Sequence, residues 1–184
     1  MPHIPLPAHL PGITGLLEYR RDTAEPIRDL TQVILRGPGT LSFAEREMIA
    51  TVVSQANECR FCSAAHAAVT EVLMGETETC ELIRADFETA PISDKMKALL
   101  HIAQLTQRGG RFVTEKAVER AKKAGATDME IHDTVLIAAL FCLYNKYVDG
   151  LATALPDDPD YFRRLGERIA TSYGRRPEGY EKSI

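Results

Sequence analysis

The 184-residue chain lacks an excess of positive charge: 22 Lys+Arg stand against 26 Asp+Glu, for a formal net charge of −4. Nucleic-acid binders carry a basic face, and surface-bound membrane proteins carry polybasic patches. This balance points to neither. Long apolar runs are also missing, and none approaches the roughly 18 residues that suggest a membrane span. The opening Met-Pro-His-Ile-Pro-Leu-Pro-Ala-His-Leu-Pro has no basic start, and Pro2, Pro5, Pro7 and Pro11 interrupt its apolar residues. It does not have the form of a signal peptide, so a cytoplasmic protein is expected. Cysteine is scarce, with four in the chain, too few and too unevenly spaced for a secreted disulfide scaffold. No segment sustains the period-2 alternation of a half-buried strand.

What remains is ordinary soluble-protein composition, 45% hydrophobic and 26% charged, at a length that fits one domain. The expected organisation is an irregular N-terminal segment over 1–22, a helical domain over 23–172 and a C-terminal tail over 173–184. Thr23 opens the first expected helix, which Gly37-Pro38-Gly39 stops. Ser42 with Glu45, and Thr127 with Glu130, are capping boxes. The first opens a helix with Ile49, Val52 and Val53 on one face. The second opens a long helix to about Ala154. Gly75 fits a helix C-cap. Ser93, Thr114 and Asp160 open further helices. Ser42 followed by Met48, Ile49 and Val52 is echoed by Ser93 followed by Leu99, Leu100 and Ala103, a pattern that two amphipathic helices share without duplication. The fold class is all-α and multihelical.

The informative passage is Cys59-Arg60-Phe61-Cys62-Ser63-Ala64-Ala65-His66. Cys59 falls where a helix begins, and unpaired amides there favour a thiolate. Cys62 lies three residues on, on the same face. His66 is one turn past Cys62, placed to accept its thiol proton. In a reducing compartment such a pair serves redox chemistry or a metal. Zinc would require a fourth ligand beyond Cys59, Cys62 and His66, and the chain has no second Cys-x-x-Cys to offer one. A c-type haem site would place His directly after Cys62, where Ser63 stands. Two inert thiols beside a buried His66 are the plain structural alternative.

The same passage carries a family resemblance. Leu41-Ser42-x-x-Glu45-Arg46-Glu47, then Cys59-x-x-Cys62-x-x-x-His66, and later Tyr144-Asn145-Lys146-x-Val148-Asp149-Gly150, resemble the AhpD-like alkylhydroperoxidases of the carboxymuconolactone decarboxylase family, in its peroxidase-related branch. The likeness runs from about Ile27 to Leu155. It implies an AhpD-like fold with a helical hairpin carrying the Cys pair at a helix start, a homo-oligomer, and a thiol peroxidase acting on organic hydroperoxides. Carried over, Cys62 attacks the peroxide, Cys59 resolves it, His66 relays the proton and Glu47 is its distal partner. A dithiol or thioredoxin-like protein is the implied reductant; no metal, haem or flavin is. A redox sensor and a lactone decarboxylase-like enzyme are the rivals on this fold. Phe61 departs from the best-characterised branch, which has His there.

Other candidates read as structural. His3 and His9 are expected in solvent, and His101 and His132 on helices without chemistry. Asn145 and Asp149 suggest a hydrogen-bond device. Cys80 and Cys142 suggest small buried hydrophobes. Tyr144, Tyr147, Tyr161 and Phe162 suggest core or subunit contacts. Arg163, Arg164, Arg168, Arg175 and Arg176 suggest a solvated basic face.

Overall fold

A computed structural model describes residues 1–174. The chain folds as helices joined by short loops: α1 (Ile13–Tyr19), α2 (Arg21–Arg36), α3 (Phe43–Ala56), α4 (Arg60–Met74), α5 (Glu78–Asp86), α6 (Asp94–Arg108), α7 (Glu115–Lys123), α8 (Asp128–Gly150) and α9 (Tyr161–Thr171), with a 3-10 turn at Gly110–Phe112. Among the described residues there is no strand. No helix among them is long and apolar enough to cross a membrane.

Both capping boxes form. The Ser42 side chain accepts from the Glu45 amide while Glu45 reaches back, and Thr127 and Glu130 do the same. Ser93 and Thr114 cap α6 and α7 through single side-chain bonds. Gly75 closes α4 with φ 73°, the left-handed conformation that a residue without Cβ adopts at least cost.

The amino-terminal stretch differs from the sequence expectation. Residues 13–19 are helical, and α2 begins at Arg21 rather than Thr23. The prolines govern the chain only through Pro11. Beyond them no proline stands before Pro26, and Leu16 is free to enter the core with no exposure.

Helix α3 lies at the centre. It packs against α4, α6 and α8, and Arg46 through Ser54 are buried without a break. A helix buried on every side has no solvent face for its polar residues, so each must find a partner. Arg46 gives hydrogen bonds to the carbonyls of Leu41, Ile34 and Gly37, fixing the loop between α2 and α3. Gly39 leaves room for this guanidinium, since a Cβ there would fall 2.3 Å from Arg46 Nη2. Ser54 accepts from Asn145 at 3.1 Å, and Asn145 in turn accepts from Asn57 at 2.8 Å. The main core joins α3, α6 and α8. A second core gathers Leu16, Phe61, Val69, Val148, Leu165 and Ile169 around Cys59 and Cys62. Helix α9 sits on α4 at Gly166, where a Cβ would approach the Ala68 carbonyl to 2.9 Å.

Candidate active site

The Cys pair sits at the sharp turn from α3 to α4. Glu58 takes φ 58° there, and the Cys59 amide returns to the Ser54 carbonyl at 3.0 Å. Cys59 is the N-cap of α4, and Cys62 is in its first turn. All four cysteines are free thiols. Cys59 has no exposure and Cys62 3%. Cys62, not Cys59, lines a cavity of about 90 Å³. His66 lines the same cavity, as do Phe61, Phe141, Tyr144 and Tyr173. By the measure in which one water needs about 10–15 Å³, it holds a small organic group or a few waters.

The helix-start argument for a low-pKa Cys59 is not met. A hydrogen bond with the Cys62 side chain pushes the Cys59 thiol up. Burial and the nearby Asp149 act in the same direction, and the Cys62 amide only partly offsets them. Cys59 therefore keeps its proton and has one to donate.

Glu47 and His66 come together across the α3–α4 crossing. His66 Nδ1 lies 2.7 Å from Glu47 Oε2. One turn further along both helices, Thr51 and Thr70 meet at 3.4 Å. Two contacts that advance together on both helices mark a crossing rather than a strict antiparallel hairpin. This is how residues at unequal distances from the turn reach one another. The ring edge of His66 rests on Phe141, with centroids 4.5 Å apart at 85°.

The other Glu47 oxygen is held by two residues that the sequence did not disclose. Arg36 Nη2 lies 2.6 Å from Oε1, and the Tyr173 hydroxyl donates to the same oxygen at 2.7 Å. Burial opposes the charge on Glu47, but His66, Arg36 and Tyr173 outweigh it and hold the carboxyl below its ordinary value. Burial, with the Glu47 charge beside it, raises the Tyr173 phenol well above its usual range, so it stays a donor. With Glu47 anionic, the geometry assigns the Nδ1 proton to His66. That leaves Nε2 with its lone pair.

Arg36 also donates to the carbonyls of Ile169 and Ala170, at 2.9 and 3.0 Å, satisfying acceptors that the last turn of α9 leaves without intrahelical partners. Its guanidinium stacks 4.8 Å from the Tyr173 ring centroid, and Gln32 accepts from the Tyr173 amide at 2.8 Å. Tyr173 was expected in a tail, yet it is part of the site. Arg175 and Arg176 lie outside the described residues. No spacing rule could have found Tyr173, because it lies 107 residues from His66. Arg36 looked like an ordinary positive charge at a helix end.

Phe61 packs against Phe162 at 5.6 Å and Tyr161 at 6.2 Å. It fills the space over Gly12, where a Cβ would clash with its ring. In place of a polar side chain it bolts the amino-terminal segment and α9 to the Cys turn. Asn145 is buried in the hydrogen-bond device expected of it, whereas Asp149 is exposed. Cys80 is buried, and burial above all pushes its thiol up to about 12. Cys142 is half-buried and accepts weakly from Asn57 at 3.6 Å. Among the described residues no three His, Cys, Asp or Glu side chains gather as metal ligands.

The profile of the carboxymuconolactone decarboxylase family matches residues 21–85, a span that holds Arg36, Glu47, Cys59, Cys62 and His66. An uncharacterized peroxidase-related protein from Silicibacter sp. TM1040 shares the fold with TM-score 0.75 and 24% identity, over 83% of this chain and 78% of that one. A second, described as an alkylhydroperoxidase AhpD core from Ralstonia eutropha JMP134, has TM-score 0.76 and 25% identity, over 85% and 80%. No curated protein matches the sequence.

Proposed function

We propose that this chain, an AhpD-like protein of the carboxymuconolactone decarboxylase family, is a thiol-dependent peroxidase that reduces organic hydroperoxides to alcohols. The observation that carries this reading is that Cys62 and His66 share one cavity, while Cys59 lies fully buried behind them.

The chemistry needs a thiolate, which a free thiol supplies only in small part at neutral pH. His66 Nε2 takes the Cys62 proton, and Glu47 stabilises the imidazolium through Nδ1. The thiolate attacks the terminal oxygen of the hydroperoxide. An S–O bond forms and the O–O bond breaks. The leaving alkoxide takes the proton from His66 and departs as the alcohol. Cys62 is now a sulfenic acid. Cys59 attacks it, an S–S bond forms, and hydroxide leaves with the Cys59 proton as water. An external dithiol or a thioredoxin-like protein then reduces the disulfide and returns both thiols.

The test is consumption of cumene hydroperoxide with dihydrolipoamide or thioredoxin as reductant. Wild type should turn over repeatedly and Cys62→Ser should not. A sensor would oxidise once and stop, and a decarboxylase would act on lactones instead. Peptide mapping after mild oxidation should find Cys59 joined to Cys62. Cys80 and Cys142 in the main disulfide would contradict the assignment.

A further inference from the structure

The cavity beside Cys62 carries more positive charge than its apolar walls explain. Arg28 from α2 and Arg168 from α9 both line it, among residues such as Leu17, Ile27, Leu165 and Ile169. Arg28 gives Nη2 to Glu18 Oε1 at 2.6 Å, with the Arg28 side chain only 11% exposed and that of Glu18 2%. Its Nη1 is buried and makes no hydrogen bond within the protein. Glu18 is itself shared with Arg21, whose Nε lies 3.3 Å from Oε2. Arg168, read from sequence as part of a solvated face, is half-buried instead. Burial lowers its pKa; Tyr161 opposes that and Arg28 adds to it, so the two guanidiniums feel one another. One carboxylate thus faces three guanidiniums around an apolar space, and one buried N–H is left without an acceptor. Native interiors seldom leave such a donor unmet. A carboxylate suits it, because guanidinium binds carboxylates with charge-assisted geometry.

We propose that Arg28 and Arg168 form a carboxylate subsite in the Cys62 cavity, so that the substrates are aliphatic hydroperoxides bearing a carboxylate. The substrate half of this inference rests on the peroxidase reading; the binding half does not.

Two measurements separate them. Calorimetric titration of the reduced protein with hexanoate and with hexanol needs no turnover. Hexanoate should bind at least tenfold more tightly, and Arg168→Gln and Arg28→Gln should each erase most of that preference. Arg28→Gln breaks the Glu18 pair and could unfold the chain. Arg168→Gln, together with the acid-against-alcohol comparison in the wild type, decides the matter without it. In kinetics, an ω-hydroperoxy acid should exceed its methyl ester in kcat/KM by tenfold or more, and Arg168→Gln should bring the ratio near one. If no hydroperoxide is consumed, the peroxidase reading fails while the titration still decides the subsite. Equal binding of hexanoate and hexanol in wild type, or a preference that survives both substitutions, overturns the subsite.

Discussion

At Glu47 three donors converge on two oxygens, and this one side chain sets the tautomer of His66. His66→Ala and Glu47→Gln should each slow peroxide turnover by about 10- to 10⁴-fold. The double variant should be little worse than the poorer single one, because the pair acts as a unit. An unchanged pH–rate profile in Glu47→Gln, with Cys62→Ser inactive, would show that another group activates the thiol. Arg36 and Tyr173 hold the carboxylate from the other side. Tyr173→Phe removes one hydrogen bond to a charged group and should cost about 1.5–3 kcal/mol. Arg36→Met leaves Glu47 with its main counter-charge gone and should cost about 3–5 kcal/mol, read from urea unfolding. The candidates legible in sequence were those whose chemistry lies in local spacing: Cys59, Cys62 and His66 on one helix start. Glu47 was reached only through the family pattern, because a helical period does not predict a crossing. Arg36 and Tyr173 were invisible, since long-range packing alone brings them to the site.

Among the elements, capped helices could be read with little error because a capping box is local chemistry. The boundaries of α3, α6 and α8 at their N-termini follow from Ser42, Ser93 and Thr127. The burial of α3 on all sides was not legible: its sequence carries polar residues that look solvent-facing until their partners are known. Helix α8 presents the opposite case. Met129, Leu136 and Leu143 are 60%, 38% and 52% exposed and stand seven residues apart, the spacing of a seam between helices. A homo-oligomer built partly on this seam is the expected state. Light scattering at micromolar concentration should give a mass above the 20.4 kDa of one chain. Leu136→Glu with Leu143→Glu should reduce it to that value. A monodisperse wild-type monomer would contradict the expectation.

For the whole molecule, the buried charges link stability to pH. A carboxyl held below its ordinary value of 4.5, as Glu47 is, adds stability that is complete above that value. The contribution is lost as the pH falls through the lower folded value. Urea midpoints should therefore hold steady from neutral pH down to the ordinary carboxylate range and then fall. Part of that acid slope should flatten in Glu47→Gln; an identical slope would show that Glu47 is not the group responsible. The charge linkage reaches beyond the Cys turn, because the guanidinium facing Glu47 also holds the carbonyls that end α9.

That shared guanidinium orders events during synthesis. The ribosome makes α2, α3 and α4 long before it reaches Tyr173, so the nascent chain carries both thiols and the histidine while the residues that brace its carboxylate are still unmade. Domains fold as units, and the unit here closes only when α9 docks. The relay thus assembles after most of the chain has been translated. A half-made chain would hold Cys62 with an unanchored base, and its oxidation chemistry would be that of an ordinary thiol until the last helix arrives.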